Sequence, residues 1–526
     1  MRILVIYRTQ LRQLPYFPPS ILNLAWGIHV CVKNMRDPQE PEGHQAPQKD
    51  KASSLKNIGG KGCAPRKALP RIDLMDDVRS FVEKVPIGGM TPTGPRTIEW
   101  QKIGIDYISG QIVPGHRKSM EPITKRIVDG DYQQMQQFIT DAPWNEKATM
   151  NQLIIFCRDE MSSPNGVLIV DDTGEGKQGK MSPGVARQYF SEIKNVGNCQ
   201  VAVTGIYAEP RGPLNADILN WSLGMRLYLP KEWDSDDVRR KKAGIPPEVR
   251  YTEKWKLALD IVSNARDLKV PHKCVLADAW YGTMREFRAQ LRAWTEPYIL
   301  GVSTVDFYVT AEDTPILLPG ADGEHIGRPR TRPFLPEGTM AMTPERIAET
   351  ATDWEKVDWG EGTKGRLSAK FIIRKVRFCL KDLPTDEMGT LLIEKGVDGL
   401  KSHICWGLND LPLQELVKLA HCRWAIEDYH KTIKDELGFD HFEGRKYRGW
   451  QHHAVLTQMT FALLEWLRFK QGREDVSVPL PTLPEVKRLL IKTIVDKACE
   501  GTQGPGGDRE IRCSYCKLKM MIIGAG

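Results

Sequence analysis

Two short apolar runs, each closed by aspartate, constrain the fold of this chain most. The first, Val167-Leu168-Ile169-Val170, runs into Asp171-Asp172-Thr173-Gly174. The second, Cys274-Val275-Leu276-Ala277, runs into Asp278-Ala279-Trp280-Tyr281-Gly282. Short apolar runs that end in turn formers read as buried strands. In α/β sheets the carboxyl ends of such strands are where ligands bind. The pattern between and after the two aspartate sites stays ordered. Residues 201–208 and 223–229 read as strands, and Trp255, Leu259 and Val262 mark a helix leading into the second aspartate strand. Residues 284–294 then read as a helix and 298–302 as a further strand.

A third acid lies far downstream, in AHCRWAIEDYHKTIKDELGFDH at residues 420–441. Steps of four, three and four place Arg423, Glu427, His430 and Lys434 on one helical face. A carboxylate flanked by cations suits a divalent metal beside a phosphate backbone, the acid ligating the ion while Arg and Lys bind phosphate oxygens. A solvated face of Glu–Lys pairs has the same spacing, and either aspartate site alone could be a turn former or a helix cap. The order of the elements separates these readings. Three strands, helix, strand, helix, strand, with acids after the first and fourth strands and on a late helix, is the layout of a ribonuclease-H-like fold. In that fold three carboxylates distant in sequence bind two metal ions for in-line attack on a phosphodiester. Neighbours on a strand point to opposite faces, so one of Asp171 and Asp172 is expected to reach the metal.

Further stretches are DDTGEGKQGKMSPGVARQYF (171–190), NVGNCQVAV (195–203), RLYLPKEW (226–233) and KKAGIPPEVRY (241–251). To these are added VLADAWYG (275–282), GTKGRL (362–367) and ELGFDHFEGRKYRGWQHH (436–453). Through them, over residues 97–469, the chain resembles the DDE insertion-sequence transposases of the IS-four-like superfamily, IS-seven-hundred-one group. That superfamily carries a signature of Tyr, two residues, Arg, three residues, Glu, six residues, Lys. Arg423, Glu427 and Lys434 fit it, while Ala420 stands at the Tyr position, where a phosphate or metal-shell contact is lost but no metal ligand.

The resemblance implies that Asp172, which directly precedes the Thr, together with Asp278 and Glu427, forms the catalytic and metal-binding set. It implies two Mg²⁺ ions per active site, with Mn²⁺ as substitute. Arg423, Lys434, His430, Lys364, Arg117 and Lys118 are the expected contacts to DNA phosphates. The implied activity is cut-and-paste transposition: strand cleavage at the transposon ends, then strand transfer to target DNA. Its partners are double-stranded DNA, as terminal inverted repeats and as target, and a second copy of the chain in a homodimer. A ribonuclease-H-like nuclease without strand transfer and a catalytically silent DNA-binding descendant are the alternatives.

Composition agrees without deciding. The 74 Lys and Arg against 67 Asp and Glu give a formal charge of +7, and Arg239-Arg240-Lys241-Lys242 and Arg374-Lys375-Val376-Arg377 could track a phosphate backbone. Either run could equally be solvated charge. Eleven scattered cysteines argue against a secreted disulfide scaffold. Cys513 and Cys516 have metal-ligand spacing, but with Cys499 as the nearby partner they fall short of the four ligands of a structural zinc. The apolar stretch at 21–32 is too short to cross a bilayer. The expected location is the cytoplasm of a prokaryote, at the nucleoid when DNA is bound.

The expected organisation begins with a poorly defined extension and flexible linker at 1–97 and a helical DNA-binding domain at 98–160. The catalytic core, 161–305 and 404–475, is interrupted by a mostly β insertion at 306–403, where Trp354 and Trp359 are candidates for base stacking. A C-terminal helix and loose tail occupy 476–526.

Overall fold

The computed structural model describes residues 74–490, apart from breaks at 90–94, 114–116, 126–130, 191–192, 212–216, 321–329, 363–364 and 473–479. It also describes strands Asp508–Arg512 and Lys519–Ile523. Those two form an antiparallel hairpin in a unit made of Met1–Asp73 and Lys492–Gly526; Leu74–Ile491 forms the other unit. Lys364, Cys499, Cys513 and Cys516 lie outside the described residues, as do residues 1–73 and 90–94 of the expected extension and linker, whose stretch Leu74–Lys84 is helical.

The larger unit opens with five helices, α1 (Leu74–Lys84), α2 (Pro95–Ile112), α3 (Met120–Thr124), α4 (Tyr132–Thr140) and α5 (Glu146–Met161). Four strands follow: β1 (Val167–Gly176), β2 (Ala186–Phe190), β3 (Asn195–Arg211) and β4 (Asp217–Leu227). Helices α6 (Lys231–Asp234), α7 (Asp237–Ala243) and α8 (Lys254–Asp267) lead to β5 (Val275–Ala277). After it come α9 (Ala279–Thr283), α10 (Arg285–Ala293), β6 (Tyr298–Val302), β7 (Tyr308–Ala311) and α11 (Pro344–Thr350). Strands β8 (Glu355–Gly362), β9 (Gly365–Leu380), β10 (Leu383–Gly396) and β11 (Gly399–Trp406) precede α12 (Leu413–His421), α13 (Trp424–Asp435) and α14 (Tyr447–Gly472).

One mixed sheet carries β1–β11. The four residues of the first apolar run are fully buried, and β1 accordingly sits inside the sheet, antiparallel to β3 and parallel to β5. Ile169 lies opposite Leu276, and Leu276 opposite Ile299 of β6, so β5 ends, just before Asp278, at the level where β1 reaches Asp171 and Asp172. β4 pairs with β3, giving the local order β4-β3-β1-β5-β6. β2, with its sequence ARQYF, pairs with the start of β3 and carries no apolar alternation that would announce it.

The expected β insertion is strand-rich, but it is continuous with the core sheet. β11 hydrogen-bonds antiparallel to β6, with Ile404 opposite Leu300, so it straddles the boundary expected at 403. The N-terminal helices likewise pack on the core. α14 is buried along most of its length, polar side chains included, because it packs against α2, α4, α5 and β4. Buried polar contacts join them: the Tyr107 hydroxyl lies 2.7 Å from His453 Nδ1, and Gln111 Nε2 donates to Thr457 Oγ1 at 2.9 Å. Among the described residues no helix is long and apolar enough to cross a membrane.

Candidate active site

Asp171 and Asp172 lie in β1, just past the buried run, at the level where the parallel neighbour β5 ends. Asp278 directly follows β5 and caps α9, accepting from the backbone amides of Trp280 and Tyr281 at 3.0 and 3.1 Å. Two of the three remote acid sites therefore meet because their strands are parallel neighbours. The third arrives through α13. Arg423 keeps helical backbone angles (φ −55°, ψ −28°) immediately before it, so the four-residue step to Glu427 holds. The guanidinium donates to Asp171 Oδ2 at 3.2 Å and to Glu427 Oε1 at 2.5 Å, joining helix to sheet. Glu427 is half exposed, at the mouth of the site.

Both neighbouring aspartates are engaged at this end of the sheet, by different partners. Asp171 faces Arg423, and its Oδ1 accepts from the Asp172 amide at 2.7 Å. Asp172 is held by the Lys254 ammonium, 2.5 Å from Oδ2, and by the Tyr281 hydroxyl, 2.5 Å from Oδ1. Sequence reasoning assigned no role to Lys254 or Tyr281. Tyr281 stood in the VLADAWYG stretch three residues past Asp278, which was a usable signal. Lys254 offered none.

The electrostatics follow from crowding. Burial, then the charge of Asp278, push the Asp171 carboxyl up to about 8, with Arg423 opposing and Asp172 adding to the rise. Asp278 is also raised, chiefly by burial and further by Asp172, against the Tyr281 and Trp280 amides and Arg423. Among the described residues no three His, Cys, Asp or Glu side chains are gathered closely enough to hold a metal ion. The donor set nonetheless fits one: it offers oxygen donors only, and Asp171, Asp172 and Asp278 repel one another in a way that a divalent cation would relieve.

The remaining expected phosphate contacts divide. Lys434 lies over β1, its Nζ donating to the Gly174 carbonyl at 2.7 Å. His430 is turned inward, because a three-residue step rotates it about 60° back from Glu427. Burial, reinforced by Lys434 and Arg423, holds its imidazole down to about 3, so it is neutral and offers phosphate no charge. Arg117 is exposed and ion-paired with Glu443. Lys118 corrects the expectation outright. It is 4% exposed, its backbone amide donates to His441, and its ammonium donates to the carbonyls of Gln111 and Val113 at the end of α2. That makes it an internal helix-end clamp. In the basic run at 239–242, Arg240 is likewise buried, donating to the Pro246 and Val249 carbonyls. Trp359 stacks on His421 at 3.9 Å between ring centroids, and Trp354 Nε1 donates to the Ala351 carbonyl.

A family model described as DDE superfamily endonuclease matches residues 101–366, just over half of the chain. The chain belongs to the DDE superfamily endonucleases. A curated relative, "Probable transposase for insertion sequence element IS701" from Microchaete diplosiphon, is 28% identical over 169 residues. That match covers 32% of this chain and 39% of the relative, so the two align over less than half of either. The family match includes Asp171, Asp172 and Asp278 of this endonuclease and ends before Glu427. Glu427 enters the site through Arg423 and the packing of α13 on β1.

Proposed function

We propose that this endonuclease is a DNA transposase that binds transposon ends, cleaves them and transfers the strands to target DNA. The observation that carries this reading is the convergence of acids from β1, the end of β5 and α13 around Arg423. The printed name of the IS701 relative supports it. The order β4-β3-β1-β5-β6, three antiparallel strands followed by two parallel ones, supports a ribonuclease-H-like core. The helices α2–α5 are the proposed DNA-binding part, and a homodimer pairing two ends is the proposed assembly.

Asp172, Asp278 and Glu427 would hold two divalent cations, Mg²⁺ or Mn²⁺, which supply activation of a water or DNA 3′-hydroxyl and stabilisation of the leaving oxygen. Arg423 donates to both Asp171 and Glu427 and so keeps helix and sheet in register before substrate arrives. Lys434 places a second cation beside β1, where it can orient a phosphate.

An excision assay tests the proposal. The gene with its flanking DNA is placed on a plasmid, and the donor junction is amplified for wild type and Asp278→Ala. Excision by wild type alone is expected. Mn²⁺-dependent nicking by the purified protein without excision would leave the chain a nuclease lacking strand transfer.

A further inference from the structure

Neither carboxylate oxygen of Asp172 is without a partner from the chain itself. Lys254 reaches Oδ2 and Tyr281 reaches Oδ1, each at 2.5 Å. The two come from separate elements, α8 and α9, and each is placed by its own surroundings. Tyr281 is buried, its ring packed against Phe287 and Trp280. Lys254 Nζ lies 5.5 Å from the centre of the Tyr228 ring. Arg423 serves Asp171 and Glu427, which leaves the neutralisation of Asp172 to Lys254.

Helix stability does not explain this lysine. It is the first residue of α8, whose first turn holds no acid and whose N-cap, Glu253, makes no side-chain cap. The macrodipole disfavours a cation there. Asp172 is what compensates it, and a divalent cation seeking Asp172 Oδ2 must compete for the same oxygen with the same sign of charge.

We propose that Lys254 is the internal counter-ion of the metal-free site, neutralising Asp172 and lowering its affinity for divalent metal, while Tyr281 orients the carboxylate. Lys254 is thus a positioning residue, and the inference rests on the reading of Asp172 as a metal-holding acid. The site stays assembled without metal because a built-in cation stands beside that acid.

The test is a Mn²⁺ titration of the full chain without DNA, with free Mn²⁺ read by electron paramagnetic resonance. Lys254→Gln is expected to bind Mn²⁺ about fivefold more tightly than wild type, the scale of a partly exposed ion pair. Lys254→Arg keeps the charge and is expected to restore wild-type affinity, which a merely structural role would not require. Binding by Lys254→Gln equal to or weaker than wild type, with Asp278→Asn weakened, overturns the counter-ion and leaves the acid site standing. Wild type and Asp278→Asn behaving alike overturns the acid site and this inference with it. Should Lys254→Gln unfold without metal, recovery of the wild-type melting temperature on adding Mn²⁺ supports the assignment, and persistent loss overturns it.

Discussion

Arg423 and Asp171, 252 positions apart in sequence, meet at 3.2 Å, and that contact attaches α13 to the strand carrying the first acids. The same guanidinium holds Glu427, so the third acid is positioned through an arginine. Arg423→Gln should lower DNA cleavage about a hundredfold, with Lys at this position recovering only part, because a single ammonium cannot reproduce the forked geometry. Single-turnover cleavage of end-containing DNA measures this. Full activity in the Gln variant would remove Arg423 from the mechanism.

Glu427→Gln and Asp278→Asn are expected to retain DNA binding and lose cleavage by about 10³-fold or more. Gel-shift and nicking assays on the same preparations separate the two properties. Retained cleavage in Mg²⁺ by the Glu427 variant would mean that another group supplies the third acid.

The Asp171 carboxyl has a folded pKa raised from the ordinary 3.8 to about 8. Folding therefore takes up a proton between those values, and the metal-free protein loses stability as pH rises from about 4 to about 8. Asp171→Asn should flatten that part of the profile. Melting temperatures of both proteins in EDTA at several pH values would show it, and parallel profiles would mean that Asp171 is already ionised in the fold.

Lys118→Met should cost about 1–3 kcal/mol of stability, because it strands the Gln111 and Val113 carbonyls inside the protein. DNA affinity should be unchanged. Urea melts and gel shifts decide, and the opposite outcome would restore the phosphate contact expected from sequence.

The metal-free site should respond to salt less than DNA binding does. Its ion pair Lys254–Asp172 is partly buried and so weakly screened, while phosphate contacts release counterions. Raising salt about fourfold should reduce DNA affinity by an order of magnitude or more and leave the EDTA melting temperature nearly constant. Equal sensitivity of both would point to a site held together by exposed charge.

What the sequence determined by itself was local. Four buried residues before Asp171 make a central strand, the turn after Ala277 puts Asp278 at a strand end, and the four-residue step aligns Arg423 with Glu427. These depend on the period of one element, which is written in consecutive residues. Tertiary structure alone decided which side chains meet across elements: Lys254 with Asp172, Arg423 with Asp171, β11 with β6. It also decided that Lys118 and His430 turn inward although their types and spacing read as solvent-facing. The reason is physical. A lysine carries the same charge and the same short-range pattern at the surface or against a helix end, and only long-range packing chooses its partner.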